Sequence, residues 1–394
     1  MADRAARRGD TYFDPAGSDL SDFRKLVEQD LTADQVPLAG AIVKNIPIYD
    51  MAALSGMLGN SDDRRRLMAE WAQGLREGAG VLVLKQAYQN TAAIDSASAI
   101  YEQIIAQEKL ANGGGADHFA AAGSNDRIWN SLQKLCEAAP EVFARYFGNV
   151  ALAAVCEAWL GPNYQMTAQI NLVRPGGEAQ QAHRDYHLGF QTAETSSQYP
   201  AHVHDLSPVL TLQGAVAHGD MPVESGPTKL LPFSQRYREG YVAWRRPDFR
   251  ACFEERYVQL PLAKGDAVFF NPALFHAAGA NRSQDVQRMA NLLQVSSAFG
   301  RAMETVDRLG MSERLYPALV QLEAEGAMPE AERAAAIAAC AEGYSFPTNL
   351  DRDPPTGGLA PQTQADLLHQ ALAEGWPPER FNEALAAQDA RRRA

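Results

Sequence analysis

The spacing of apolar residues changes character twice along the chain. Between Ser61 and about residue 160 it is helical. Ser61-Asp62-Asp63 starts a helix, Leu67, Trp71 and Leu75 recur along one face, and Gly78-Ala79-Gly80 stops it. Val81-Leu82-Val83-Leu84 then reads as a short buried strand. Ile94, Ala97, Ile100, Tyr101, Ile104 and Ile105 mark one side of a helix from 92 to about 110. Residues 131–160 give two helical segments divided near Pro140, and Gly161-Pro162 ends the second.

From about residue 164 short strands take over. Segments 164–173, 209–216, 256–260, 267–270 and 289–295 are separated by Gly, Pro and Asn turns, with a helical insert around 234–244. This pattern predicts an antiparallel sandwich or barrel. Helices return after about 300. Pro329-Glu330 opens one that runs through Cys340, with Gly343 as its cap. A Pro- and Gly-rich linker covers 351–361, and a last helical stretch, 365–387, breaks at Pro377-Pro378. Residues 1–60, cut by Pro15, Pro37 and Pro47, read as an extension wrapped over the core. The expectation is therefore an α+β chain in three parts. These are an N-terminal extension (1–60), a domain over 61–300 with its strand-rich core at about 164–300, and a C-terminal helical extension (301–394).

Composition narrows the function. The formal net charge is -12, and no basic stripe offsets it, so nucleic acid is excluded as the main partner. Arg64-Arg65-Arg66 and Arg391-Arg392-Arg393 read as a solvated helix face and a tail. No apolar run reaches the ~18 residues of a membrane span, and Met1–Arg8 lacks the apolar region of a signal peptide. The four cysteines, Cys136, Cys156, Cys252 and Cys340, form no Cys-x-x-Cys pair. They read as free thiols in a reducing cytoplasm. Gly113-Gly114-Gly115 lacks the Gly-Lys-Ser/Thr that a phosphate loop needs.

Among eight histidines, one stands in a chemically suggestive tripeptide, His183-Arg184-Asp185. In an extended strand, side chains two apart share a face. An imidazole and a carboxylate can therefore aim at one point. A third ligand would complete the 2-His-1-carboxylate triad of non-haem Fe(II) sites, and His276, which closes a strand-like run, is the best candidate. Arg288 opens the next strand, where a guanidinium could clamp a carboxylate. The turn from Glu224 to Gln235 carries Gly226-Pro227 where a pocket wall would bend back. Two other readings stay open at this point: a zinc-dependent hydrolase using the same three ligands, and a catalytically silent jelly roll that only binds. No well-placed general base supports the hydrolase. His202-x-His204 lies in a presumed loop, 196–208, without a third ligand, and reads as a lid or surface feature.

These residues, in this order, resemble the phytanoyl-CoA dioxygenase family of Fe(II)/2-oxoglutarate-dependent oxygenases over about 70–300. The resemblance rests on Val81–Leu84, Gln169-Ile170-Asn171, His183-Arg184-Asp185, the 224–235 turn, Gly265-Asp266 through His276, and then Asn281, Ser283 and Arg288. It implies a double-stranded β-helix (jelly-roll, cupin-like) core flanked by N- and C-terminal helices. It implies His183, Asp185 and His276 as iron ligands. Arg288 would pair with the distal carboxylate of 2-oxoglutarate, and Asn171 and Ser283 would lie near that co-substrate. The implied cofactors are Fe(II), 2-oxoglutarate and O2. The implied reaction oxidises a C–H bond of a small-molecule substrate and releases succinate and CO2. Asp185 favours hydroxylation over halogenation, because related halogenases carry a small residue there.

Two departures from the family pattern stand out. Arg288 lies one residue further from His276 than expected, which keeps Arg282 as an alternative clamp. Pro232-Phe233-Ser234-Gln235 replaces the family's Pro-Gly-Ser-His. Arg184, Tyr186, His187 and Gln213 are the candidates for the substrate side. An acyl-CoA would want a basic patch for its phosphates. None is evident outside the arginine runs, so a small polar or natural-product substrate is expected. The helices after 300 either cover the pocket or make a homodimer contact.

Overall fold

The computed structural model describes residues 11–112 and 125–393, and the Gly113–Gly115 loop and His118 lie outside them. Among the described residues eight strands form one sheet: β1 (Ala41–Val43), β2 (Ile46–Asp50), β3 (Val81–Lys85), β4 (Asn125–Ile128), β5 (Gln165–Val173), β6 (Thr211–Ala217), β8 (Ala267–Phe270) and β10 (Arg288–Ser296). Their order is β1-β2-β3-β8-β6-β10-β5-β4. All neighbours are antiparallel except β2 and β3, which run parallel with Ile48 opposite Val83. Facing this sheet is a second layer of short pieces. β7 (Lys229–Leu230) pairs with β9 (His276–Ala277), and single bridges add His183 to His276 and Val258 to Leu230. Two sheets with a cavity between them make the jelly-roll core.

The strands show why their sequences look as they do. β6 and β8 are buried along their whole length, so β8 reads as a continuous apolar run, whereas β6 interrupts its apolar residues with Thr211 and Gln213. β10 alternates instead. Arg288, Ala290, Leu292 and Gln294 line the cavity, while Leu293 and Val295 enter the opposite core with Ile170 of β5. That is the two-residue period of a strand whose faces have different surroundings.

The outer face of the large sheet is covered by helices from both ends of the chain. Trp71 and Leu75 of Ser61–Arg76, Tyr101 of Ala92–Asn112 and Phe143 of Pro140–Phe147 share one apolar core with Leu315 of Arg308–Ala324, Ile337 of Glu330–Cys340, Leu368 of Gln364–Ala373 and Phe381 of Pro378–Arg392. The buried Arg308 guanidinium fastens the C-terminal helices to the sheet, donating to the carbonyls of Met166 and Cys340 at 2.9 and 3.0 Å. These helices therefore pack on the face away from the cavity and do not cover it. Among the described residues no helix is long and apolar enough to cross a membrane.

Four sequence expectations change. The N-terminal segment is not only a wrap, because β1 and β2 extend the sheet. Residues 256–260 are not a strand: the helix Pro247–Arg256 runs into them and only Val258 makes a bridge. Residues 131–160 form three helices, because the Asn149 side chain accepts from the N–H groups of Ala151 and Leu152 and starts a new one. The presumed loop 196–208 holds the helix Ala201–Leu206.

Candidate metal centre

His183 and His276 stand directly opposite one another on the small layer. The N–H of each donates to the carbonyl of the other, at 3.0 and 3.1 Å. This reciprocal pair puts the two rings 4.4 Å apart, centroid to centroid. Two residues on, the Asp185 N–H donates to the Pro272 carbonyl at 3.0 Å, which keeps the chain extended and returns the carboxylate to the same side. His183 thus sits in a single bridge and not in a full strand, yet the facing relation expected of a strand holds.

Each imidazole is oriented the same way. His183 Nδ1 lies 2.8 Å from the Gln181 carbonyl, and His276 Nδ1 lies 2.8 Å from the Leu274 carbonyl. A carbonyl only accepts, so each Nδ1 carries a proton, and in the neutral ring Nε2 then presents a lone pair. Those Nε2 atoms lie 3.7 and 3.5 Å from Asp185 Oδ2. The three donor atoms all fall within 4.8 Å of one another. Gln213 Nε2 donates to Asp185 Oδ2 at 2.8 Å, and the Tyr241 hydroxyl donates to the Asp185 carbonyl at 3.0 Å. Burial pushes the Asp185 carboxyl up, but His183, His276 and the Gln213 amide outweigh it and hold the group well below the usual carboxylate range. Burial pushes His183 down. Two imidazoles and one carboxylate, each steered by an outer partner, fit a divalent first-row metal.

The three donors open on a cavity of about 540 Å³ between the sheets. Gln169 and Asn171 of β5, Gln213 of β6 and Arg288 of β10 line it. Arg288 is buried, and Nη1 donates to the carbonyls of Ser225 and Gly279 at 2.8 and 3.2 Å. Burial pushes its guanidinium down to about 10, and among the described residues no carboxylate pairs with it. A buried cation left without an anion, in the same cavity as a metal-type donor set, is a place for an acidic ligand.

The sequence model of the phytanoyl-CoA dioxygenase (PhyH) family matches residues 77–290, more than half of the chain. The chain belongs to the phytanoyl-CoA dioxygenase family. Among curated proteins it is similar to the dioxygenase andF of Emericella variicolor, 29% identical over 142 residues, covering 34% of this chain and 43% of that protein. It is also similar to the dioxygenase trt7 of Aspergillus terreus, 29% identical over 128 residues, covering 32% and 39%. The matched stretch thus spans about two fifths of those relatives. Among solved structures, the non-haem alpha-ketoglutarate-dependent carbocyclase SnoK from nogalamycin biosynthesis aligns at 19% identity and a TM-score of 0.43, over 60% of this chain and 86% of that one.

The other family-pattern residues fall in distinct places. Asn171 lines the cavity, with Oδ1 buried and unpartnered. Ser283 does not reach it. The Ser283 hydroxyl donates to Asn281 Oδ1 at 2.6 Å and accepts from the Val286 N–H at 3.3 Å, so it ties the turn before β10. Arg282 is exposed and off the cavity wall, which leaves Arg288 as the one of these two that lines the cavity. Phe233 takes the place of the family's glycine at a left-handed φ of 69°. That conformation costs a non-glycine residue ~1 kcal/mol or more, and here the ring is buried in the core beside Leu230 and Leu274.

The substrate-side candidates divide. Gln213 lines the cavity and holds Asp185. Arg184 also borders the cavity, but its guanidinium is engaged elsewhere: it donates to the Ser234 and Tyr237 carbonyls at 2.6 and 2.7 Å and lies between the rings of Tyr241 and Phe275. Gly240 leaves it room, since a Cβ there would fall 1.9 Å from Arg184 Cζ. Tyr186 and His187 pack ring to ring at 4.3 Å, off the cavity lining. His204 is buried and donates to the Ser196 carbonyl, while His202 is exposed. On one helix, positions two apart diverge, so the two do not form a metal pair. Sequence reading missed Trp244, Arg245 and Arg250 on the cavity wall. The only sequence signal for the first two is the Trp244-Arg245-Arg246 run at the end of the helical insert, and Arg250 carries none.

Proposed function

We propose that the protein is an Fe(II)- and 2-oxoglutarate-dependent oxygenase that hydroxylates an unactivated C–H bond of a small molecule. One observation carries the reading: two opposed histidines with Nδ1 engaged and Nε2 free meet Asp185 in a cavity that also holds the unpaired Arg288. His183, Asp185 and His276 would hold the metal on one face and leave its other positions open. Bound Fe(II), with 2-oxoglutarate and O2, supplies the oxidising power, and succinate and CO2 are released. Arg288 would take the distal carboxylate of 2-oxoglutarate, with Asn171 and Gln169 beside it. Gln213 fixes which Asp185 oxygen faces the donors. Asp185 fills the position that a halide would need, which supports hydroxylation. Among the described residues of the cavity wall no second carboxylate or further imidazole is available as a general base. A zinc hydrolase would need one. Four buried, unpaired thiols accord with a reducing cytoplasmic setting.

The test is spectroscopic. Anaerobic protein with Fe(II) and 2-oxoglutarate should show a weak visible charge-transfer band. H183A and R288A should lose it or weaken it strongly. An unchanged band in both variants sinks the assignment.

A further inference from the structure

On the cavity wall beside His183 stands the indole of Trp244, with ring centroids 6.4 Å apart. Two guanidiniums share that indole. Arg245 Cζ lies 3.8 Å from its centroid and Arg250 Cζ 5.5 Å. All three residues line the cavity. Neither arginine makes an ion pair with a carboxylate among the described residues. Arg245 gives one nitrogen to the carbonyls of Gly189 and Gln191, at 3.3 and 2.7 Å, and the nearby Glu194 is exposed. Two N–H donors on this wall are buried and unpartnered: Arg250 Nε and Trp244 Nε1, the latter on a residue only 7% exposed. Buried donors almost always find an acceptor, and adjacent like charges lower each other's affinity for a proton. Burial and Arg250 both push the Arg245 guanidinium down. In a chain of net charge -12, this concentration of unneutralised cation marks a place for an anion.

We propose that Arg245, Arg250 and Trp244 bind an oxyanion on the substrate, so that the enzyme acts on an acidic small molecule and not on a neutral one. The proposal rests on the oxygenase reading of the same site, where Arg288 is already taken by 2-oxoglutarate. The guanidinium forks match carboxylate or phosphate oxygens. The Trp244 ring and the exposed Phe190 on the same wall supply an apolar surface for the substrate body. A basic patch not evident from the sequence is present, assembled from Arg245 beside Trp244 and Arg250 of the helix Pro247–Arg256.

The test uses the full chain, anaerobic and loaded with Fe(II) and saturating 2-oxoglutarate. Calorimetric titration compares 3-phenylpropionate, its neutral amide and phenyl phosphate. The wild type should bind one of the anions at least about tenfold tighter than the amide. In R250Q that preference should fall to near unity, and R250K should retain most of it. R245Q is the second variant, read alongside its melting temperature, because Arg245 also braces the Gly189 and Gln191 carbonyls. The tighter of the two anions identifies a carboxylate or a phosphate source. Equal affinity for acid and amide, no binding of any of the three, or a preference that survives both glutamine variants overturns the proposal. A missing charge-transfer band in the wild type would overturn the oxygenase reading itself, whereas a normal band with no anion preference overturns this inference alone.

Discussion

His183 and His276 on one side of the large sheet, and His218 on the other, are histidines with opposite chemistry. His218 is 6% exposed, against 5% for His276, so burial does not separate them. Their second nitrogens do. His218 has Ser98 Oγ at 2.8 Å from Nδ1 and the Tyr146 hydroxyl at 2.8 Å from Nε2. Ser98 donates its own proton to the Ile94 carbonyl, and the Tyr146 oxygen accepts from Asn291 Nδ2. The protons are thereby assigned: Nδ1–H donates to Ser98, and Tyr146 donates to Nε2. The circuit is closed and neutral. At His183 and His276 only Nδ1 is engaged, and both Nε2 atoms face a carboxylate oxygen. An imidazole acts as a ligand where one nitrogen is fixed and the other is left over.

The sharpest way to break this contrast is to delete each ring. H183A or H276A should abolish Fe(II) binding in anaerobic calorimetry and leave the melting temperature almost unchanged, because each ring lies at the cavity. H218A should do the reverse. It leaves Ser98 and Tyr146 without their buried partner, at a cost of about 3 kcal/mol, while metal affinity stays within about twofold. If H218A weakened metal binding as much as H183A, the two regions would not be independent.

A second effect is confined to His218. Burial pushes its imidazole down to about 3, below the ~6.5 of an unfolded histidine. The folded state therefore holds the neutral ring. That stability is fully present above about pH 6.5 and is lost as pH falls toward the folded value. The loss has a slope of about 1.4 kcal/mol per pH unit for one proton. Denaturant midpoints measured from pH 7 to 4.5 should show this slope on top of the carboxylate background. In H218Q the same series should be flatter by one proton. Identical slopes in the two proteins would remove His218 from the acid response.

Much of this was legible beforehand, and the misses have physical reasons. His183-x-Asp185 could be read because a two-residue offset places both groups on one face, whether the backbone makes a strand or only a bridge. Strands β5, β8 and β10 were legible from their apolar runs. Residues 256–260 looked like a strand because a helix end, Arg256, ran directly into one bridging residue, Val258. His202 and His204 read as a loop feature, but they lie on the helix Ala201–Leu206, where residues two apart diverge. The Arg245–Arg250 wall was invisible because side chains five apart gather through Trp244, not through sequence proximity. Ser283 fitted the family pattern by position, yet its hydroxyl is spent on Asn281 and Val286.

The mildest perturbation bears on what holds the open site open. Gln213 Nε2 fixes Asp185 Oδ2, and its own Oε1 is buried without a partner. Gln213→Leu keeps much of the volume and removes the donor. Asp185 would then be free to turn toward either imidazole, and metal affinity should fall by about 10- to 100-fold, less than for a lost ligand. Stability should change little, since an unpaired acceptor leaves with the donor. Gln213→Glu sharpens the point by placing a second carboxylate against Asp185. If the amide only fills space, both variants should bind Fe(II) as the wild type does. If it steers the carboxylate, Gln213→Leu should be weak and Gln213→Glu should bind with a pH dependence that the wild type lacks, because the added carboxyl donates to Asp185 only when protonated.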